Sequence, residues 1–441
     1  MLRRKITDNL LKWKANPDKH PLLVRGARQV GKTFIIDDFA KKHYKSYIYV
    51  NFESGPEYAR LFDEGLDKKT LMRLISSMFV GTPIVPGDTL LFLDEIQYCP
   101  RAWVALKFLS GGDLDVIATG SLLSVNKHEV SSYPVGYEEY MDMYSLDFEE
   151  FLWALGVDGD LISYVAERTR KGEAIERPIA DAFQKYFTWH MVVGGMPDVV
   201  SDYVKNNDFN RVLAIQKKIV ESCKSDISKY ATGVMRTRAR ECLEAVPYQM
   251  GDRFRYVEVK DVKGARRSMY DGSLEWLMDA GVIFKCHNVS EPAMPLKFNR
   301  NFDVFKVFLH DTGLLVSMME AENIFEIVKG NVLVNKGRIA ENAVAGEIMR
   351  KRGELMHFKR KKNDAEVDFV LSLADGIAAI EVKSGNNNNS KSLDVLMSDR
   401  YKVPRGIKFE MTEAYKDDRG VEHYPLFACA FIIPDRSGYA L

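Results

Sequence analysis

The chain has 441 residues, of which 46% are hydrophobic and 28% are charged, as is usual for globular proteins. This length exceeds the size at which one hydrophobic core keeps growing, which argues against a single compact domain and for two or three. Because 62 basic residues balance 62 acidic residues, the overall charge gives no information about a nucleic-acid partner.

The sequence contains no sign of a membrane segment or of a metal-binding cysteine motif. No apolar run approaches the roughly 18 residues that a membrane-spanning helix needs, and the N-terminus lacks an apolar stretch of signal-peptide length. The cysteines include no Cys-x-x-Cys pair, and no histidine lies at zinc-ligand spacing. We therefore expect a soluble, cytoplasmic protein with reduced thiols and no membrane partner. The cysteines are Cys99, Cys223, Cys242, Cys286 and Cys429.

A glycine-rich phosphate-binding loop lies near the N-terminus. The apolar residues 22–24 predict a strand that enters this loop, and apolar positions at helical spacing in residues 34–40 predict a helix that leaves it. Successive backbone N–H groups and the positive end of the helix would face the phosphates of a nucleotide. We expect Lys32 to reach the β- and γ-phosphates and Thr33 to ligate Mg²⁺. The predicted ATP-binding residues are Gly26, Ala27, Arg28, Gln29, Val30, Gly31, Lys32 and Thr33.

An acidic pair follows a strongly apolar segment further along the chain. Residues 89–93 read Thr-Leu-Leu-Phe-Leu, which is typical of a strand buried on both faces of a sheet. The segment ends at Asp94, which would hold Mg²⁺, and Glu95, which would be the general base for the attacking water. The alternative is an acidic helix cap after a core strand. We expect Lys32, Asp94 and Glu95 to be the catalytic residues of this site.

Two further apolar segments, residues 47–52 and 115–121, predict strands of the same sheet. Strands separated by helices favour a parallel, doubly wound α/β sheet with its ligand at the carboxyl ends of the strands. The second segment would place Thr119 or Ser121 near the γ-phosphate. The alternative is an ordinary hydroxyl residue where a strand passes into a loop.

Five phrases spread over nearly the whole chain carry a family resemblance. They are residues 25–33 (RGARQVGKT), 93–97 (LDEIQ), 119–121 (TGS), 194–197 (GGMP) and 226–230 (DISKY). With them the chain resembles a prokaryotic family of AAA-type P-loop ATPases that carry a C-terminal domain of uncharacterised function, related to archaeal ATPases fused to nuclease-like domains. The resemblance implies ATP hydrolysis with Mg²⁺ and a sensor role for Thr119 or Ser121. Where the family commonly has Gly-Arg, this chain has Gly136 and Tyr137, so Arg28 becomes a candidate for an arginine acting on the γ-phosphate.

The predicted fold is an AAA-type parallel α/β sheet, then a helical and winged-helix connector, then an α/β domain that is restriction-endonuclease-like. The expected divisions are an AAA-type ATPase domain at residues 1–150, a helical lid or connector at 151–233, a winged-helix-like module at 234–320 and a nuclease-like domain at 321–441.

The winged-helix prediction rests on two helices and a hairpin. We expect helices at residues 236–250 and 266–280, followed by paired strands at 282–287 and 305–309. In DNA-binding relatives the second helix enters the major groove, and the alternative is a packing module between two domains. The second helix would expose a modest cationic face formed by Lys263, Arg266 and Arg267.

A second set of candidate residues lies in the last third. Residues 365–371 and 377–383 alternate polar with apolar around a turn at residues 375–376, which predicts a hairpin with Asp368 opposite Lys383 and Glu381 on the same face. This arrangement matches the Asp, Glu-x-Lys pattern of restriction-endonuclease-like enzymes. We expect Asp368 and Glu381, with Glu341 from a preceding helix, to bind Mg²⁺ or Mn²⁺, and Lys383 to act on the attacking water. The alternative is a cross-strand salt bridge on a solvated face.

Basic residues cluster between positions 350 and 362, close to this predicted site. They would suit a phosphate backbone, although such a run is also typical of a solvated face. The members are Arg350, Lys351, Arg352, Lys359, Arg360, Lys361 and Lys362.

Two functions follow from these predictions. The first is a Mg²⁺-dependent ATPase whose nucleotide state controls a nuclease-like C-terminal domain that acts on DNA. The alternative is an ATP-dependent binding protein with an inactive nuclease fold and a protein partner. The oligomeric state stays open.

Overall fold

A computed structural model describes residues 2–111, 114–120, 136–231, 233–259, 267–319, 336–360, 365–383 and 391–435. It contains two compact units. The N-terminal unit comprises Arg4–Tyr144 and Asp279–Gly281, and the C-terminal unit comprises Ser145–Met278 and Val282–Leu441 together with the first three residues. Several predicted residues lie outside the described ranges, namely Ser121, Lys263, Arg266, Lys361 and Lys362.

The N-terminal unit is built on one parallel sheet of five strands in the order β2-β3-β4-β1-β5. This confirms the predicted parallel α/β sheet. The strands are β1 (Leu22–Arg25), β2 (Ser46–Asn51), β3 (Thr89–Asp94), β4 (Asp115–Gly120) and β5 (Glu139–Asp142). The helices of this unit are Ile6–Ala15, Lys32–His43, Lys68–Met78 and Pro100–Leu109, with 3₁₀ turns at Pro56–Phe62 and Ile96–Tyr98.

An apolar core of this unit lies against β3 and β4 in the interior of the sheet. Every residue of β3 and β4 is buried, as expected for parallel strands that are covered on both faces. Leu91 and Leu93 of β3 pack in one apolar cluster with Trp103 of the helix Pro100–Leu109 and with Ile75 of the helix Lys68–Met78. This packing fixes the carboxyl ends of the strands, where a doubly wound sheet binds its ligand.

The C-terminal unit begins with a helical region. Its first helix, Phe148–Ala154, starts with a capping box in which Asp147 accepts the backbone N–H of Glu150 at 2.8 Å and Glu150 accepts the N–H of Asp147 at 3.2 Å. The helices of the unit are Phe148–Ala154, Gly159–Lys171, Arg177–Val193, Pro197–Asn206, Phe209–Tyr230, Gly233–Ala245, Arg267–Asp279, Thr312–Ser317, Lys336–Arg352, Lys391–Met397 and Cys429–Ile432.

The paired glycines at positions 194 and 195 are explained by close packing. A Cβ atom on Gly195 would lie 2.1 Å from the carbonyl oxygen of Leu146, and one on Gly194 would lie 2.2 Å from the carboxylate of Asp311. Asp311 also accepts the backbone N–H of Gly195 at 2.7 Å. Only glycine fits these two positions. Their close packing holds residues 194–195 against Leu146, which precedes them in the chain, and against Asp311, which follows them.

The first sheet of this unit has four strands in the order β7-β6-β8-β9. The expected hairpin is confirmed, because β6 (Ile283–Val289) pairs antiparallel with β7 (Arg300–Leu309). Its strand β6 also pairs in parallel with β8 (Leu355–Lys359), which pairs with β9 (Glu366–Val367). The hairpin expected for a winged helix thus shares one sheet with strands from the last third of the chain.

The second sheet has the order β10-β11-β12-β14-β13. Strand β10 (Phe369–Leu373) forms the predicted hairpin with β11 (Gly376–Val382), followed in parallel by β12 (Arg405–Glu410) and then β14 (Glu422–Pro425), with β13 (Tyr415–Lys416) at the edge.

The predicted register of this hairpin is wrong by two residues. Gly376 pairs with Leu373 and has a φ of +128°, so it opens β11 and the two loop residues are Ala374 and Asp375. If this register is extended by one pair beyond Phe369 and Ile380, Asp368 lies opposite Glu381 and not opposite Lys383. A shift of two keeps every side chain on its predicted face, because strand side chains alternate with a period of two.

Within the described part of the chain, no helix combines the length and the apolar character that crossing a bilayer requires.

Candidate functional site

The loop between β1 and the helix Lys32–His43 has the backbone shape of a phosphate-binding loop. Gly26 has a φ of +154°, and a Cβ there would lie 2.0 Å from the carbonyl oxygen of Met143. Gly31 has a φ of +95° and is the N-cap residue of the helix. Because glycine has no side chain, it offers no side-chain hydrogen bond to the first N–H groups. The first N–H groups of this helix are therefore left for a ligand at its N-terminus.

Lys32 curls over this loop. Its Nζ donates to the carbonyl oxygens of Gly26 and Ala27, both at 2.9 Å. Burial lowers the pKa of Lys32 to about 8, although the nearby carboxylates of Glu95 and Asp94 favour its charged form. The side chain thus places a desolvated ammonium group in the loop. Because the group is shielded from water, its attraction to an anion is stronger than it would be in solvent.

Asp94 is the centre of the hydrogen-bond network at the carboxyl end of β3. It is 1% exposed. Its carboxylate accepts the hydroxyl of Thr33 at 3.0 Å, the hydroxyl of Tyr49 at 2.9 Å and the amide of Asn51 at 3.0 Å. Thr119, at the end of β4, donates its hydroxyl to the other carboxylate oxygen. The network brings together three residues that the sequence predicted, Thr33, Asp94 and Thr119.

Tyr49 and Asn51 were missed by the sequence prediction. A signal was present, because both lie at the carboxyl end of β2 and Asn51 pairs directly with Asp94 in the parallel register. Once two neighbouring strands are predicted, polar residues at their carboxyl ends are candidates for the same site.

The residues around Asp94 fit a magnesium ion. Mg²⁺ prefers hard oxygen ligands and keeps several of its waters. The hydroxyl of Thr33 and the carboxylate of Asp94 lie 3.0 Å apart. Both could therefore bind one Mg²⁺ ion, directly or through its water ligands, after only small movements of these two side chains.

Glu95 follows β3 in a left-handed backbone conformation, with a φ of 54°. Burial raises the pKa of Glu95, and its hydrogen bond from Gln97 and the charge of Lys32 act in the opposite direction. Nε2 of Gln97 donates to the Glu95 carboxylate at 2.5 Å, and Oε1 of Gln97 is a buried acceptor with no partner among the described residues. Gln97, which the sequence prediction did not assign, therefore orients the predicted general base.

We expect the variant Gln97→Met to hydrolyse ATP about tenfold more slowly with little change in nucleotide affinity. The thioether has a similar length but cannot donate to Glu95, and tenfold corresponds to about 1.4 kcal/mol of lost transition-state stabilisation. Steady-state kinetics that separate kcat from KM check this. An unchanged kcat would contradict the positioning role of Gln97.

Arg28 is held by an ion pair inside the N-terminal unit. Its guanidinium lies 3.4 Å from Glu53, which also accepts the hydroxyl of Tyr98 at 3.0 Å. The arginine is thus tied to residues that follow β2 and β3, close to both halves of the site. Whether it contacts a γ-phosphate stays a prediction.

In the C-terminal unit, three carboxylates surround one lysine. Nζ of Lys306 lies 2.9 Å from Glu341, 3.4 Å from Asp368 and 3.5 Å from Glu366. Burial alone would lower the pKa of Lys306, but Glu341 and Asp368 raise it above its usual value. The sequence prediction missed Lys306, although one lysine within the apolar end of β7 was a signal that it is buried and paired.

The other two predicted residues form a separate pair. Glu381 lies 2.8 Å from Lys383, and its Oε2 is buried with no hydrogen-bond partner among the described residues. The second oxygen of Asp368 accepts the backbone N–H of Val382 at 2.9 Å. The structure thus brings Glu341 and Asp368 together, but it directs Glu381 to Lys383.

The expected Mg²⁺ or Mn²⁺ site does not fit this arrangement. No group of three or more histidine, cysteine, aspartate or glutamate side chains in the described ranges is arranged to hold a metal ion. Two of the three predicted ligands, Glu341 and Asp368, are bound to the Lys306 ammonium group.

Part of the basic cluster is committed to contacts within the C-terminal unit. Arg350 donates to the backbone carbonyl of Ser145 at 3.2 Å, Lys351 to that of Ala430, and Arg352 to that of Ser372 at 2.7 Å. Lys359 pairs with Glu366. These four cations stabilise the fold, which weakens the case for a phosphate-binding patch.

Known families match three parts of the chain. Residues 18–152 match the AAA domain. Residues 184–324 and 336–427 match two domains of unknown function, DUF8612 and DUF4143. None of the curated proteins matches the chain. The first match supports a P-loop ATPase domain that binds ATP. The other two matches indicate no activity, because both are to domains of unknown function.

Solved structures similar to the chain include three proteins. The Walker-type ATPase PABY2304 of Pyrococcus abyssi has 14% identity and a TM-score of 0.44, and the match covers 72% of this chain and 96% of that chain. The Aeropyrum pernix ORC1 protein in complex with DNA has 12% identity, coverage of 75% and 93%, and a TM-score of 0.27. Cdc6p from Pyrobaculum aerophilum has 10% identity, coverage of 74% and 92%, and a TM-score of 0.23. At these identities and TM-scores the likenesses support no argument about the site or its ligands.

Proposed function

We propose that the chain is a Mg²⁺-dependent ATPase whose site is formed by residues 26–33, Asp94 and Glu95. The observation that supports this most is the hydrogen bond between Thr33 and Asp94, because it joins the phosphate loop to the end of β3 at the place where a bound Mg²⁺ would sit. The match of residues 18–152 to the AAA domain agrees with this assignment.

In this proposal the loop binds the phosphates through the N–H groups at the start of the helix Lys32–His43, and Lys32 leaves its carbonyl partners to contact the β- and γ-phosphates. Bound Mg²⁺ would neutralise part of the phosphate charge. Thr33 and Asp94 would hold it, and Tyr49 and Asn51 would keep Asp94 in position.

Glu95 would orient and deprotonate the attacking water. Its pKa is raised by burial, which strengthens a carboxylate as a base. Gln97 holds one of its oxygens, so the other is available for the water. Thr119, bonded to Asp94, would link the end of β4 to the metal-binding residues, in agreement with a sensor role.

The C-terminal unit fits recognition of a protein partner better than cleavage of DNA. The helix Lys336–Arg352 with Glu341, followed by the hairpin of β10 and β11, supports a nuclease-like fold. The observation against metal-dependent cleavage is Lys306, whose ammonium group lies among the carboxylates that a nuclease would use for its metal. ATP binding in the N-terminal unit would then control a binding surface and not a hydrolytic one.

Phosphate release from ATP tests the proposed function. The purified chain should release inorganic phosphate in the presence of Mg²⁺ and should stop when EDTA removes the ion, because the phosphate charge is then no longer neutralised. A chain that binds ATP in Mg²⁺ but releases no phosphate above the uncatalysed rate would contradict hydrolysis.

A further inference from the structure

Lys306 has an unusual environment for a lysine. It lies in the C-terminal half of β7, where the residues on either side of it along the strand are apolar and buried, and its own side chain is 1% exposed. Lysine is almost never fully buried unless its charge is paired. The ammonium group must therefore be held by specific anions.

Those anions come from separate parts of the C-terminal unit. Glu341 belongs to the helix Lys336–Arg352, Glu366 to β9, and Asp368 to the bend between β9 and β10. Their oxygens lie 2.9, 3.5 and 3.4 Å from Nζ of Lys306. The ammonium group of a lysine has three N–H donors, and three carboxylates around it resemble the oxygen shell of a bound cation.

A divalent ion and the Lys306 ammonium group would compete for the same carboxylates. Two cations a few ångströms apart in a poorly solvated interior repel strongly. Some of the other oxygens are occupied as well, since Asp368 accepts the N–H of Val382 at 2.9 Å and Oε1 of Glu381 pairs with Lys383 at 2.8 Å, which leaves Oε2 of Glu381 without a hydrogen-bond partner among the described residues. Metal binding would thus require Lys306 to leave and to bury its charge elsewhere.

We infer that Lys306 is the resident cation of this cluster, in the place where a nuclease would bind a divalent metal, and that the chain binds no divalent metal there. The lysine joins the β6–β7 hairpin to the helix Lys336–Arg352 and to the β9–β10 bend. The carboxylates neutralise the charge of Lys306. This inference does not depend on ATP hydrolysis in the N-terminal unit.

Titration with Mn²⁺ alone, followed by electron paramagnetic resonance of the free ion, tests the inference on the full chain without nucleotide. The wild type and its Asp368→Asn variant should bind equal amounts of Mn²⁺. Lys306→Met should gain one Mn²⁺ site per chain, because its carboxylates lose their counter-ion. The gain should disappear in the double variant Lys306→Met, Asp368→Asn.

The matched control is Lys285→Met. Lys285 lies on the paired strand β6, its side chain is 7% exposed, and it has a carboxylate neighbour, Asp271, at 3.9 Å. This variant removes a buried lysine without freeing three carboxylates, so it should gain no Mn²⁺ site.

Two results would overturn the inference. One is a Mn²⁺ site in the wild type that Asp368→Asn removes, which can be measured even if Lys306→Met fails to fold. The other is a folded Lys306→Met variant that binds no more Mn²⁺ than Lys285→Met does.

Discussion

Exchange of Glu95 for glutamine is expected to leave ATP binding intact and to slow hydrolysis by about 10²- to 10⁴-fold, the usual contribution of a general base. The amide has the shape of the carboxylate but cannot accept the proton of the attacking water. Gln97 can rotate its amide to bond the new side chain, so the local structure should persist.

Calorimetric titration with ATP and a phosphate-release assay check both parts of this prediction. The control is Glu57→Gln, an exposed carboxylate of the same unit, which should alter neither quantity. Loss of ATP affinity in Glu95→Gln would mean that Glu95 acts in binding, and an unchanged rate would remove it as the base.

Exchange of Lys32 for alanine is expected to lower the affinity for ATP by at least about 100-fold. Loss of one partner from a buried, charge-assisted contact commonly costs 2–5 kcal/mol, and 100-fold corresponds to about 2.7 kcal/mol. Lys32 is the buried cation of the loop and lies 2.9 Å from two of its carbonyl oxygens.

The control for this variant is Lys41→Ala. Lys41 belongs to the same helix, but its side chain is 64% exposed. Among the contacts described it pairs only with Asp37, four residues earlier. Calorimetry should show normal ATP affinity for Lys41→Ala. ATP binding by Lys32→Ala as tight as that of the wild type would contradict the assignment of the phosphate-binding loop.

The parts of the fold that could be predicted from the sequence are those with strong local signals. The apolar runs inside β3 (residues 90–93) and β4 (residues 116–118) are continuous, which favours strands buried on both faces. Glycines at positions 26 and 31 are needed for positive φ angles and close backbone contact. These features predicted the parallel sheet and its loop.

The parts that could not be predicted depend on which residues meet across the fold. The position of Asn51 at the carboxyl end of β2 made it a candidate, but its bond to Asp94 depends on the register of β2 against β3, which no pattern within either strand specifies. Gln97 was missed because its role depends on the left-handed turn at Glu95.

The C-terminal cluster shows the same limit. Glu341, Asp368, Glu381 and Lys383 were found from their spacing, which matches an enzyme pattern. Spacing does not reveal what neutralises their charge. Lys306 comes from a different hairpin, whose pairing with β8 through β6 joins segments far apart in the chain.

In the proposed function, residues 26–33, Asp94 and Glu95 form one hydrolytic site. A single-turnover experiment tests it most directly: the chain in excess is mixed with radiolabelled ATP and Mg²⁺, and the bound nucleotide is identified after quenching. The wild type should contain ADP and phosphate, and Glu95→Gln should retain intact ATP. Intact ATP in both proteins, or ADP in both at the same rate, would contradict the account.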